Sequence, residues 1–132
     1  MRTKDNKLTI QINKPVSEVF NFLLNPKNTP LWIDSIVKEV TNEWPVKVGS
    51  KYRNQNKEGV WSEYMVLSLD PNNSFEFIKS DNNYHVRYTL ISTDNNKTKL
   101  EYYEWVKDGE IDGAFTQDIL EKLKSVLESL HS

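Results

Sequence analysis

Tyr84-His85-Val86-Arg87-Tyr88-Thr89-Leu90-Ile91-Ser92 and Thr98-Lys99-Leu100-Glu101-Tyr102-Tyr103-Glu104-Trp105-Val106 are two runs of alternating character, separated by Asp94-Asn95-Asn96. Tyr84, Val86, Tyr88 and Leu90 are more apolar than His85, Arg87 and Thr89, and Leu100, Tyr102 and Glu104 stand opposite in parity to Lys99 and Glu101. A period of two marks a half-buried strand. Asn and Asp accept left-handed backbone and bond their own main chain, so an Asx cluster is good hairpin chemistry. A connection this short leaves no room for a crossover helix, so the two strands are antiparallel.

The same grammar extends upstream. Turn clusters at Asp81-Asn82-Asn83, Asp70-Pro71-Asn72-Asn73 and Lys57-Glu58-Gly59 separate strands predicted at Phe75–Ser80, Val60–Leu69 and Ser50–Gln55. Pro45 and Gly49 close an earlier strand, Ile36–Trp44. Further back, Leu8, Ile10 and Ile12 alternate with polar residues. Pro15 ends that strand and suits the first turn of a helix carrying Val16, Val19, Phe20 and Leu23. A second short helix is predicted from Thr29-Pro30 through Trp32 and Ile33. Downstream, Asp108-Gly109-Glu110 breaks the last strand, and Phe115, Ile119, Leu120, Leu123, Val126, Leu127 and Leu130 form one helical stripe. Phe115 to Leu130 at 1.5 Å per residue predicts a helix of ~24 Å, long enough to lie along most of a sheet face. The fold class expected is α+β: a curved antiparallel sheet of six to seven strands around a long C-terminal helix, with two short helices after the first strand.

A chain of 132 residues fits one domain with its own core. It has no cysteine, which excludes disulfides, thiol catalysis and thiolate metal sites. A net charge of −2 supplies no electrostatic reason to bind nucleic acid or an anionic membrane. No run approaches the ~20 apolar residues of a membrane span, and the polar start, Met1 to Lys7, lacks a signal-peptide core. A cytoplasmic protein, monomer or homodimer, is the expectation.

The side chains assigned inward make an unusual core. Ser50, Tyr52 and Asn54, Phe75 and Phe77, and Tyr84, Val86, Tyr88 and Leu90 join Leu100, Tyr102 and Glu104. On Val60–Leu69 the parities tie: Trp61, Glu63, Met65 and Leu67 compete with Ser62, Tyr64 and Val66, and a bulge would mix them. A dry void of ~300 Å³ at ~24 cal/mol per Å³ would cost ~7 kcal/mol. That is comparable with a whole domain's stability of ~5–15 kcal/mol. The mixture therefore implies either a pocket holding water or a ligand, or a collapsed core with tyrosine hydroxyls at its rim.

Certain landmarks carry a resemblance. They are Ile12-Asn13-Lys14-Pro15-Val16-Ser17-Glu18-Val19-Phe20, Trp32 after Pro30, Val48-Gly49-Ser50-Lys51-Tyr52, Leu69-Asp70-Pro71 before Phe75-Glu76-Phe77, and Thr98-Lys99-Leu100-Glu101-Tyr102 before the last helix. In this order they resemble the START-related SRPBCC superfamily with its helix-grip fold, and within it small polyketide cyclase/dehydrase-like bacterial proteins. The resemblance implies a cavity between sheet and C-terminal helix that takes a small hydrophobic molecule, lipid or polyketide-like. It supplies no catalytic motif.

Three functions follow as expectations. The first is ligand binding by Tyr52, Asn54, Tyr64, Phe77, Tyr88, Tyr102, Glu104, Phe115 and Ile119. The second is a cyclase or dehydratase in which Glu104, its pKa raised by burial if it faces inward, or else Glu63 works with a cavity tyrosine. For Glu104 the alternative is a place at the cavity mouth, solvated or bonded to backbone. The third is a protein-interaction domain resembling heat-shock chaperone ATPase activators, using an outer face with Trp61 or Trp105. Trp32 either packs the second helix onto the sheet end or gates the ligand. His85 is expected on the surface beside Arg87 and His131 at a frayed end. No Ser-His-Asp triad, zinc site, acidic metal loop or glycine-rich phosphate loop is therefore expected, and no cofactor.

Overall fold

The computed structural model describes residues 3–130. Seven antiparallel strands form one curled sheet: β1 (Asp5–Ile12), β2 (Ile36–Thr41), β3 (Lys51–Asn56), β4 (Trp61–Asp70), β5 (Ser74–Lys79), β6 (Tyr84–Asp94) and β7 (Lys97–Val106). Their spatial order is β1-β7-β6-β5-β4-β3-β2. Three helices accompany it: α1 (Val16–Leu24), α2 (Thr29–Trp32) and α3 (Gln117–Glu128). This is the expected α+β helix-grip architecture.

The topology explains where the helices go. β1 and β2 are the two edges of the sheet, yet they are neighbours in sequence. Six inter-strand gaps at ~4.8 Å separate them by ~29 Å. The chain must cross that width, and α1 and α2 are the crossing. α1 buries Val19, Phe20, Phe22, Leu23 and Leu24. Asn25 accepts from the Lys27 amide at 3.1 Å and starts a single 3-10 turn, Pro26–Asn28. That turn re-aims the chain into α2.

The Asx turns behave as their chemistry requires. Asn72 and Asn82 take positive φ, 64° and 59°. The Asp81 carboxylate accepts from the amides of Asn83 and Tyr84 at 2.8 and 3.1 Å. The Asp94 carboxylate accepts from the Asn96 amide at 2.9 Å. The predicted parities of β3, β5, β6 and β7 match the register, in which Tyr88 faces Tyr102, and Phe75 faces Tyr88. The tie on β4 resolves through a bulge between Val66 and Ser68. Tyr64, opposite Tyr52, joins the concave face, while Glu63, opposite Arg53, takes the outer one.

Three expectations need correction. α3 has twelve residues, about 18 Å, rather than sixteen. Phe115 is withheld from it because the Phe115 amide donates to Glu104 at 2.8 Å and its carbonyl accepts from the Asn6 side chain at 2.9 Å. The strand predicted to reach Trp44 ends at Thr41, since the Ser50 hydroxyl donates to Glu43 and accepts from the Lys47 amide, closing a loop. His85 lies on the outer face, as its parity required, but is only 7% exposed. Its cross-strand neighbour Trp105 stacks on the ring at 4.8 Å and 7°, and its Nδ1 lies 3.2 Å from Glu76. His131 lies outside the described residues. Among the described residues no helix is long and apolar enough to cross a membrane.

Candidate functional site

The concave face is filled at one end and hollow at the other. At the filled end α3 packs on β1, with Leu120, Leu123 and Leu127 at most 1% exposed. At the other end a cavity of about 100 Å³ lies between α2 and strands β2 to β7. It opens into an outer vestibule of about 530 Å³, and the two share Ile33, Ile36, Asn54, Tyr64, Tyr84 and Phe115. A cavity of ~10–15 Å³ already holds one water, so this one is well above water size.

Of the residues expected to line it, Tyr52, Asn54, Tyr64, Phe77, Tyr88, Tyr102 and Phe115 do so. Glu104 and Ile119 do not. Ile119 sits one turn along α3, packed on the core. Phe115 reaches the hollow because it precedes α3 as an extended strut, stacked on Tyr102 at 4.3 Å with its ring edge-on to Trp32. Trp32 roofs the cavity from α2 and meets Tyr88 edge-on at 6.5 Å. Phe77 packs against Tyr52 at 4.9 Å.

Glu104 is neither solvated nor at a mouth. It is 1% exposed and takes three donors: Tyr84 Oη at 2.6 Å, Asn6 Nδ2 at 2.9 Å and the Phe115 amide at 2.8 Å. It ties β1, β6, β7 and the approach to α3 into one joint. Its oxygens are occupied behind the cavity wall. Glu63, on the outer face, is out of reach of the tyrosines within.

The carboxyl that does reach the hollow is Glu39, which sequence reasoning missed. It accepts from Thr29 Oγ1 at 2.6 Å and Asn54 Nδ2 at 3.3 Å. Removal from water pushes its pKa up, against the pull of those two bonds. A bulge between Ile36 and Lys38 lets Ile36 and Glu39 face inward together. Strict alternation from Ile36 would have sent Lys38 inward and Glu39 out. Nothing in the residue types announced that bulge. Tyr84 was legible by parity and lines the hollow too.

The tyrosines share one electrostatic condition. Burial, and then the nearby carboxylates Glu39, Asp81 and Glu104, push the Tyr64 hydroxyl up to about 12. Burial also raises Tyr52, Tyr84, Tyr88 and Tyr102, so all five stay protonated as hydrogen-bond donors at neutral pH. Tyr52 spends its proton on the Leu24 carbonyl at 2.6 Å, and Tyr84 on Glu104. The hydroxyls of Tyr64 and Tyr88 have no partner among the described residues. The site therefore offers stacking faces, two free hydroxyls and one carboxyl.

Solved structures with the same fold are far apart from this chain in sequence. A START superfamily protein from Mycobacterium smegmatis superposes with a TM-score of 0.72 at 11% identity, over 96% of this chain and 99% of that one. The Aha1 dimer from Colwellia psychrerythraea gives 0.68 at 16% identity, over 95% and 96%. Protein MLL2253 from Mesorhizobium loti gives 0.67 at 18% identity, over 96% and 100%. Comparison with curated proteins finds no match. The family model described as Activator of Hsp90 ATPase homolog 1-like protein matches residues 13–131, and with that match, on a curled sheet gripping its last helix, the chain belongs to this family within the START-related fold.

Proposed function

We propose that the protein binds a small, largely hydrophobic molecule in the hollow between α2 and the sheet. The observation that carries this reading is the pairing of space with chemistry. The cavity and its vestibule are lined by aromatic rings and by tyrosine hydroxyls with no protein partner. An apolar pocket with a few convergent polar groups is the usual form of a small-molecule site. Rings offer area at little entropic cost, and the free hydroxyls orient whatever enters. Native mass spectrometry of protein purified from its own host tests the reading. A bound mass should appear, and should be lost on Ile36→Trp, which plugs the opening. A bound mass that survives the plug places the ligand elsewhere.

An enzyme built on Glu104 would have to work with a carboxylate that is committed to three structural donors. A second reading, a protein-interaction domain, is favoured by the description of the family as homologues of a chaperone ATPase activator. Its surface would be the outer face, where Trp105 stacks with His85 and Tyr103 and Arg87 lies 5.2 Å over the Trp105 ring. Loss of partner capture on Trp105→Ala supports it; unaffected capture counts against it.

A further inference from the structure

The hollow has a charge imbalance that says something about its occupant. Glu39 is the one carboxyl in its lining, and no Lys, Arg or His lines it. The two donors on Glu39, Thr29 and Asn54, are neutral. Behind the wall stands a second carboxyl, Glu104, whose three donors are also uncharged. The vestibule continues the imbalance, with Asp81, Glu110 and Asp112 against Lys79. The rings of Trp32, Tyr64 and Tyr88 line the same space, and the face of an aromatic ring is electronegative.

Taking the hollow as a ligand site, as above, we propose that its ligand is an organic cation: a single ring or short hydrocarbon body ending in an ammonium group held by Glu39. The inner cavity, at about 100 Å³, is smaller than the ~150 Å³ apolar cavity that takes a benzene ring, so a ring would extend across the opening into the vestibule of about 530 Å³. Glu39 would give the ammonium a charge-assisted bond, and the Tyr64 and Tyr88 hydroxyl oxygens are free to accept its remaining protons. The acidic vestibule raises the local concentration of cations at the opening. A carboxylate-ended ligand such as a fatty acid could accept from the two tyrosine hydroxyls, but it meets repulsion from Glu39 and from the acidic side of the vestibule, with no cation in the cavity lining to receive it. The burial that raises the Glu39 pKa points the same way, because it leaves an ionised carboxyl in want of a positive partner.

Three probes with the same ring and the same three-carbon chain separate charge from shape: 3-phenylpropylammonium, 3-phenylpropan-1-ol and 3-phenylpropionate. Each is titrated into the whole chain at pH 8 and low salt, followed by calorimetry. The ammonium should bind about ten-fold or more tighter than the alcohol, and the carboxylate weakest. Glu39→Gln should remove that margin while leaving the alcohol within about two-fold. A smaller margin in the unmodified protein, a carboxylate that ties or wins, or a margin that survives in folded Glu39→Gln overturns the proposal. If the variant does not fold, the ranking in the unmodified protein decides. Alcohol binding without a preference for the ammonium removes only the charge inference. Binding by none of the three removes the ligand reading with it.

Discussion

Over β1, α3 sets Leu120, Leu123 and Leu127 into a dry seam with Ile12 and Leu100, all five at most 1% exposed. Over β3 to β6, α2 brings only Thr29, Trp32 and the Ile33 that follows, and a cavity remains. The same sheet face is thus solid at one end and open at the other. Helix length explains the difference. Twelve residues present three turns of an apolar stripe, whereas four residues present one large ring. The two inward carboxyls repeat the contrast. Glu104, in the solid half, has three donors; Glu39, facing the open half, has two and empties into the hollow.

This contrast breaks most plainly at the packed end. Leu123→Ala should cost about 2–5 kcal/mol in urea unfolding, since a fully buried Leu leaves a cavity. Ile36→Ala, at the rim of the hollow, should cost clearly less, because that side chain already borders open space. Equal costs would erase the distinction between the two halves.

Glu104→Gln comes next, at about 2 kcal/mol, because an amide nitrogen replaces one of two oxygens that both face donors. Tyr52→Phe should lose about 1 kcal/mol with its bond to the Leu24 carbonyl. Tyr64→Phe, with no such bond, should melt with the unmodified protein.

A small and telling effect concerns Glu39. Its folded-state pKa lies above the unfolded value, so the native state binds the extra proton. Stability should therefore fall as pH rises from the unfolded pKa through the folded one. Glu39→Gln should flatten that slope and be at least as stable at pH 7. A variant that loses stability at neutral pH would mean that Glu39 is as structural as Glu104.

Much of the fold was legible because its causes are local. Period two placed Tyr52, Phe77, Tyr88 and Tyr102 on one face, and the Asx clusters set the hairpins that keep them there. His85 shows where local reading ends. Parity put it on the outer face, but only the neighbouring strand supplied Trp105 to cover it. Phe115 was assigned to a helix by its spacing, and the distant Glu104 drew it out.

Residue order by itself determined the meander, the faces of its strands and the aromatic character of the concave surface, because alternation and turn chemistry act over a few residues. Tertiary structure alone decided which carboxyl meets the hollow. The bulge at Ile36 and Lys38 rotates Glu39 inward, while two other strands and a loop close on Glu104. Both outcomes turn on where unpaired backbone and distant donors fall once the sheet is assembled, and no pattern within a single strand encodes that.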